Sequence, residues 1–258
     1  MIKRDCLWLW GQDAGTHHEM SPLPGENKMG PVEGAEFLGI PNMCRVVMGN
    51  KPEPPFDKEM DKLTDCRKVV WSIIGDTGSE RMDDGISELD EVLKLAEKYD
   101  NLTGGVMDDF FSEKRKAIYT PEVVRGFADR LHKAKLDLWC VLYEHQVDTD
   151  VQAWIDECDV ISFWTWCSEN LNKLEENIVK VEKMAGKGQK IYAGCYMWDY
   201  GNGRPMPFEL MKMQLETFEK WLEEGRIEGV IICSNCIADI GLEAVDFTKK
   251  WLDENIEE

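Results

Sequence analysis

The amino-acid sequence predicts a single (β/α)8 TIM barrel spanning residues 1–258. Three observations carry this expectation. Eight short runs rich in β-branched and aromatic residues alternate with longer stretches of helical spacing. The runs are near-continuously apolar rather than cleanly alternating, as parallel strands covered on both faces must be. The connections leaving the strands are long, and those returning to them are short. A chain of 258 residues also fits the architecture, which takes about 250 residues.

The strand runs are residues 6–10, 44–48, 69–74, 105–110, 138–143, 160–164, 191–197 and 229–233. Amphipathic stretches lie between them. Residues 86–99 gather Leu89, Val92, Leu93 and Ala96 on one face. Residues 121–135 open with Thr120 as N-cap, Pro121 at the first helical position and Glu122 in the first turn. Residues 171–185, 208–224 and 242–256 repeat apolar residues at helical spacing, and shorter helices are expected at 33–38, 57–66 and 150–157. Returns such as 101–104 and 135–137 are short, whereas exits such as 11–32, 49–56, 75–85 and 199–207 are long and rich in Gly and Pro. Elaborated strand-to-helix loops are what a functional C-terminal face requires. No G-x-G-x-x-G follows the first run, which weakens an open nucleotide-binding sheet.

Composition narrows the partners. A net charge of −20 argues against nucleic acid or an anionic membrane surface, both of them negatively charged. No stretch approaches the roughly 18 apolar residues of a membrane span. The apolar run 7–10 is too short for a signal-peptide core. Nine cysteines without a framework read as reduced thiols, so a cytoplasmic protein is expected. Cys233 and Cys236 form one C-x-x-C, but neither a second pair nor suitably spaced histidines accompany it. Nothing calls for a cofactor.

The strand ends supply a polar and aromatic ring: Gln12, Asp76, Asp108-Asp109, Tyr143-Glu144, Trp166, Tyr196, Trp198, Asp199, Tyr200 and Asn235. Charged residues ending apolar strands are expensive to desolvate and serve either caps or function. The run GGVMDDFF is the sharpest feature. Strand geometry sends consecutive side chains to opposite faces, so one acid should point to the barrel axis and the other toward a neighbouring strand or loop. Two acids in a poorly solvated site repel each other, raising at least one pKa and suiting a general acid. Glu144 and Asp199 are further candidate carboxylates, and either could pair with Asp109 across a glycosidic bond. Trp166, Trp198 and Tyr200 should face the mouth, where flat apolar rings with a polar edge suit a sugar, with Tyr143 and Tyr196 beside them.

A paired acid at the end of strand four resembles the substrate-assisted retaining glycosidases, the O-GlcNAcase and hyaluronidase-like enzymes, and more distantly the chitinases. That resemblance implies Asp108 as the residue polarising an acetamido group and Asp109 as the general acid/base. The D-x-x-D-x-D-x-E run of chitinases is absent. The expectation is therefore a glycoside hydrolase acting on a small oligosaccharide or glycoside. Two rivals use the same ring. A metal-dependent sugar isomerase or epimerase would recruit Asp108, Asp109, Glu144, His145 and Asp199, with His17 or His18. A carbohydrate-binding barrel would perform no chemistry at all.

Overall fold

Eight parallel strands close on themselves in chain order, as the alternation predicts. The computed structural model describes residues 2–19, 22–82 and 84–257. The strands are β1 (Leu7–Gly11), β2 (Asn42–Arg45), β3 (Lys68–Ile74), β4 (Leu102–Met107), β5 (Asp137–Tyr143), β6 (Val160–Trp164), β7 (Lys190–Tyr196) and β8 (Gly229–Cys233). β8 pairs with β1, which leaves the barrel without a free edge. Around it run helices α1 (Pro31–Leu38), α2 (Asp57–Met60), α3 (Leu89–Ala96), α4 (Glu113–Ile118), α5 (Pro121–Lys133), α6 (Gln152–Ile155), α7 (Leu174–Met184), α8 (Phe208–Glu223) and α9 (Glu243–Asn255). Among the described residues two short strand pairs and an isolated Met48–Lys51 bridge stand outside the barrel. Ile2–Lys3 lies parallel to Ile256–Glu257, and Trp198–Asp199 turns back on Arg204–Pro205 in the loop after β7.

The interior is filled by aromatic layers. Low in the barrel, Trp139 packs between Trp8 and Tyr192, with ring centroids 5.2 and 4.5 Å away. Higher up, Trp164 packs between Trp10 and Tyr196 at 5.2 and 4.9 Å. Register aligns the upper layer, because Trp10, Cys233 and Tyr196 are direct partners across β1, β8 and β7. Gly194 makes room for it: a Cβ there would fall 1.9 Å from the Trp164 ring.

Several boundaries differ from expectation. β2 covers Asn42–Arg45, so residues 46–48 are buried loop rather than strand. β4 covers Leu102–Met107 and ends before the acids, not at residue 110. In both places buried loop residues extend the apolar run past the end of the strand. α3 is shorter than 86–99, and the stretches at 57–66 and 171–185 each include a 3-10 turn. Thr120 does occupy the N-cap of α5, but its side chain makes no capping bond. α4 is additional. Ser112 caps it by accepting from the Arg115 N–H at 3.3 Å, and its buried residue is an arginine, so no apolar stripe announces it. All nine cysteines are unbridged. Among the described residues no helix is long and apolar enough to cross a membrane.

Candidate functional site

The C-terminal mouth encloses a cavity of about 140 Å³. Its floor and sides are aromatic, with Trp10, Trp164 and Tyr196 below and Tyr143, Trp166 and Tyr200 above. The upper rings hold one another: Trp166 stacks on Tyr200 at 5.7 Å, and its other contacts to Tyr143 and Tyr196 are edge-on. Asp108 and Asp109 line one side, after β4. Gln12 and His17 from the β1 loop, with Cys233 of β8, line the side opposite in strand order.

Both acids line this cavity, which corrects the expectation of opposite faces. The strand has ended at Met107, and Asp109 takes a left-handed φ of 44°, so strict alternation no longer applies. Asp108 still continues the ladder through its N–H to the Ile74 carbonyl at 2.9 Å. The residue is 3% exposed. Burial pushes its pKa well above the usual carboxylate range, the charges of Asp109 and Asp76 push the same way, and Arg115 opposes them. The Arg115 guanidinium lies beneath, donating to the carbonyls of Gly75, Asp76 and Asp108 at 2.6 to 2.9 Å. Asp109 is differently placed. Its Oδ1 accepts from the Tyr143 hydroxyl at 2.7 Å, and its Oδ2 accepts from the Thr77 N–H at 3.2 Å.

Glu144 and Asp199 do not line the cavity. Glu144 accepts from the Trp166 N–H at 2.9 Å and from Asn170 at 3.0 Å, tying the end of β5 to the loop after β6. Burial works against its ionisation, but bonds from His145, Trp166 and Asn170 outweigh it and lower the pKa. Asp199 is fully buried and accepts from the Ser168 hydroxyl at 2.6 Å, the Ser168 N–H at 3.1 Å, Asn202 at 3.0 Å and Arg204 at 2.9 Å. Burial again opposes its ionisation and these donors prevail. The two acids are loop clasps, and neither can flank a bond held in the cavity.

Other expected contacts also move away from the ligand space. Asp76 accepts from Gly49, Gly78 and Ser79, fastening the β2 and β3 loops together. Asn235 brackets Gln12, accepting from its N–H and donating to its carbonyl, both at 2.9 Å. Trp198 is 1% exposed and does not reach the cavity. The metal-centred alternative loses its donor set in the same way. His145 stacks on Tyr143, His18 accepts from the Asn27 N–H, and among the described residues no three His, Cys, Asp or Glu side chains gather as a metal site.

Gln12, Tyr143, Trp166, Tyr196 and Tyr200 do line the cavity. Trp10, Met48, Val141 and Trp164 line it too, and sequence reasoning did not single them out. It weighed His17 only as a metal ligand. His17 is instead a buried wall residue whose Nδ1 lies 2.7 Å from the Tyr200 hydroxyl. Burial, reinforced by His18, lowers its pKa to about 3 and keeps it neutral. Gln12 Nε2 is buried without a partner among the described residues. A second, more open cleft of about 610 Å³ adjoins the cavity and runs over Thr77, Phe111, Lys116 and His145. Asp109, Tyr143 and Trp166 line both spaces, so they stand at the junction.

No family model matches the chain, and no curated protein is significantly similar to it. Solved structures do superpose. The tryptophan synthase A-subunit of Pyrococcus furiosus matches at a TM-score of 0.56 and 11% identity over 98% of both chains. A barrel assigned as an alpha-L-fucosidase, from Bacteroides thetaiotaomicron, matches at 0.56 and 13%, over 84% of this chain and 86% of its own. Catalytic domain 2 of the Group II chitinase of Ostrinia furnacalis matches at 0.60 and 10%, over 99% and 98%. At these identities the likeness establishes the fold. The chain is a TIM barrel.

Proposed function

We propose that this barrel is a glycoside hydrolase that holds one sugar ring in the inner cavity and releases it from a group lying in the outer cleft. The superposable barrels include both sugar hydrolases and a tryptophan synthase subunit, so the reading rests on the site. One observation carries it: among the described residues Asp108 and Asp109 are the carboxylates lining the cavity, and both follow β4. A classical two-carboxylate mechanism needs acids flanking the bond, about 5–9.5 Å apart, and Glu144 and Asp199 are committed elsewhere. Two adjacent acids suit a reaction in which the substrate supplies its own nucleophile, the oxygen of a 2-acetamido group.

The roles follow from position. Asp109, at the junction of cavity and cleft, lies where the scissile bond would lie, and it protonates the leaving oxygen. Asp108, confined to the inner cavity, accepts the acetamido N–H. Burial and the neighbouring charges of Asp109 and Asp76 push the pKa of Asp108 upward, so Asp108 holds a proton more readily than an ordinary carboxyl. A ligand N–H donated to Asp108 draws negative charge there and passes the proton to Asp109. Asp109, once deprotonated, then takes a proton from the water that opens the cyclic intermediate.

The test is a panel of aryl glycosides with and without a 2-acetamido group. Asp109→Asn should lose about 10²–10⁴-fold in turnover with the fold intact. Full activity in that variant contradicts the assignment. Ligand-dependent tryptophan fluorescence without chromophore release would leave sugar binding and remove the chemistry.

A further inference from the structure

The charges around the inner cavity are one-sided. Asp108 and Asp109 line it, and among the described residues neither a lysine nor an arginine does. Arg115 sits behind the acids with its guanidinium turned to backbone carbonyls. His17 bonds the Tyr200 hydroxyl in a setting that keeps its ring uncharged. The remaining wall is dominated by indole and phenol rings, whose faces carry partial negative charge. Such faces attract a cation, more strongly where water is excluded. An anion entering the same space meets carboxylates with no counter-charge among the lining residues. The net charge of −20 repels it before it arrives.

We propose that the inner cavity selects ligands by charge, taking a monosaccharide-sized ring that is cationic in preference to a neutral one and excluding anionic sugars such as uronic acids and sugar phosphates. This deepens the hydrolase reading and rests on it for the ring, while the charge preference comes from the wall alone. It also fits the chemistry, since the transition state of glycoside cleavage is oxocarbenium-like and positive. Gln12, whose buried Nε2 has no partner among the described residues, also lines this cavity.

Three ring probes of matched size test this by titration calorimetry: a polyhydroxylated piperidine, at a pH where its nitrogen is protonated, the corresponding uncharged lactam, and the corresponding uronic acid. The piperidine should bind at least about tenfold tighter than the lactam, and the uronic acid at least about tenfold weaker. In Asp109→Asn, checked for folding by thermal unfolding, the piperidine's advantage should shrink by about tenfold. A uronic acid that binds as well as the lactam, or a piperidine no better than it, overturns charge selection while leaving the sugar site standing. Binding of none of the three overturns both.

Discussion

Asp108 and Asp199 are both buried aspartates just past the end of a barrel strand, yet they have opposite environments. Asp199 is surrounded by donors from Ser168, Asn202 and Arg204. Asp108 faces a cavity, with the charges of Asp109 and Asp76 close by. Exposure is nearly equal, at 0% and 3%. The number of donors decides what each acid does. A saturated carboxylate is favoured in its ionised form and holds two loops together, whereas one short of donors has its pKa pushed upward and is left with its bonding capacity for a ligand.

The comparison can be broken at either end. The largest effect is expected at Asp109, whose Asn variant should lose activity while melting near the parent temperature, as read by aryl-glycoside turnover and thermal unfolding. Asp199→Ala should do the reverse. It strands the buried donors of Ser168 and should cost about 2–4 kcal/mol in denaturant unfolding, with the chemistry lost only in proportion to unfolded protein. Gly194→Ala tests the packing beneath. Its Cβ would meet the Trp164 ring at 1.9 Å, so about 1–3 kcal/mol of stability and weaker ligand binding should go together. Glu144→Gln keeps the shape and one acceptor, and should cost only about 1 kcal/mol with turnover kept.

Asp108→Asn gives the pH-dependent contrast. The folded-state pKa of Asp108 lies above its unfolded value, so its contribution is intact below the unfolded pKa and is lost as pH rises through the folded one. The variant should therefore match the parent in acid and be more stable than it toward neutral and alkaline pH, while losing activity. An equal stability difference at every pH would contradict the assignment.

The barrel was legible because parallel strands covered on both sides leave near-continuous apolar runs, repeated eight times along the chain. Its boundaries were less so. Residues 46–48 and Phe110 are as buried as the strands they follow, and hydrophobicity does not distinguish a ladder from a packed loop. α4 escaped notice because its buried residue is Arg115. At the site, the sequence marked the acids at strand ends but could not separate Asp108 from Glu144 or Asp199. That difference lies in Ser168, Asn170 and Asn202, loop residues whose placement depends on the folded chain. Gln12 was legible as a strand-end residue, but His17 reaches the wall from the long loop after β1, where sequence spacing carries no direction.

The measurement that bears most directly on the account is a carboxyl-carbon NMR titration of protein labelled at aspartate. One aspartate should titrate well above the ordinary carboxylate range, lose that behaviour in Asp108→Asn, and shift when ligand fills the cavity. If instead every aspartate titrates in or below the ordinary range, the raised pKa of Asp108 does not exist and the proposed chemistry goes with it.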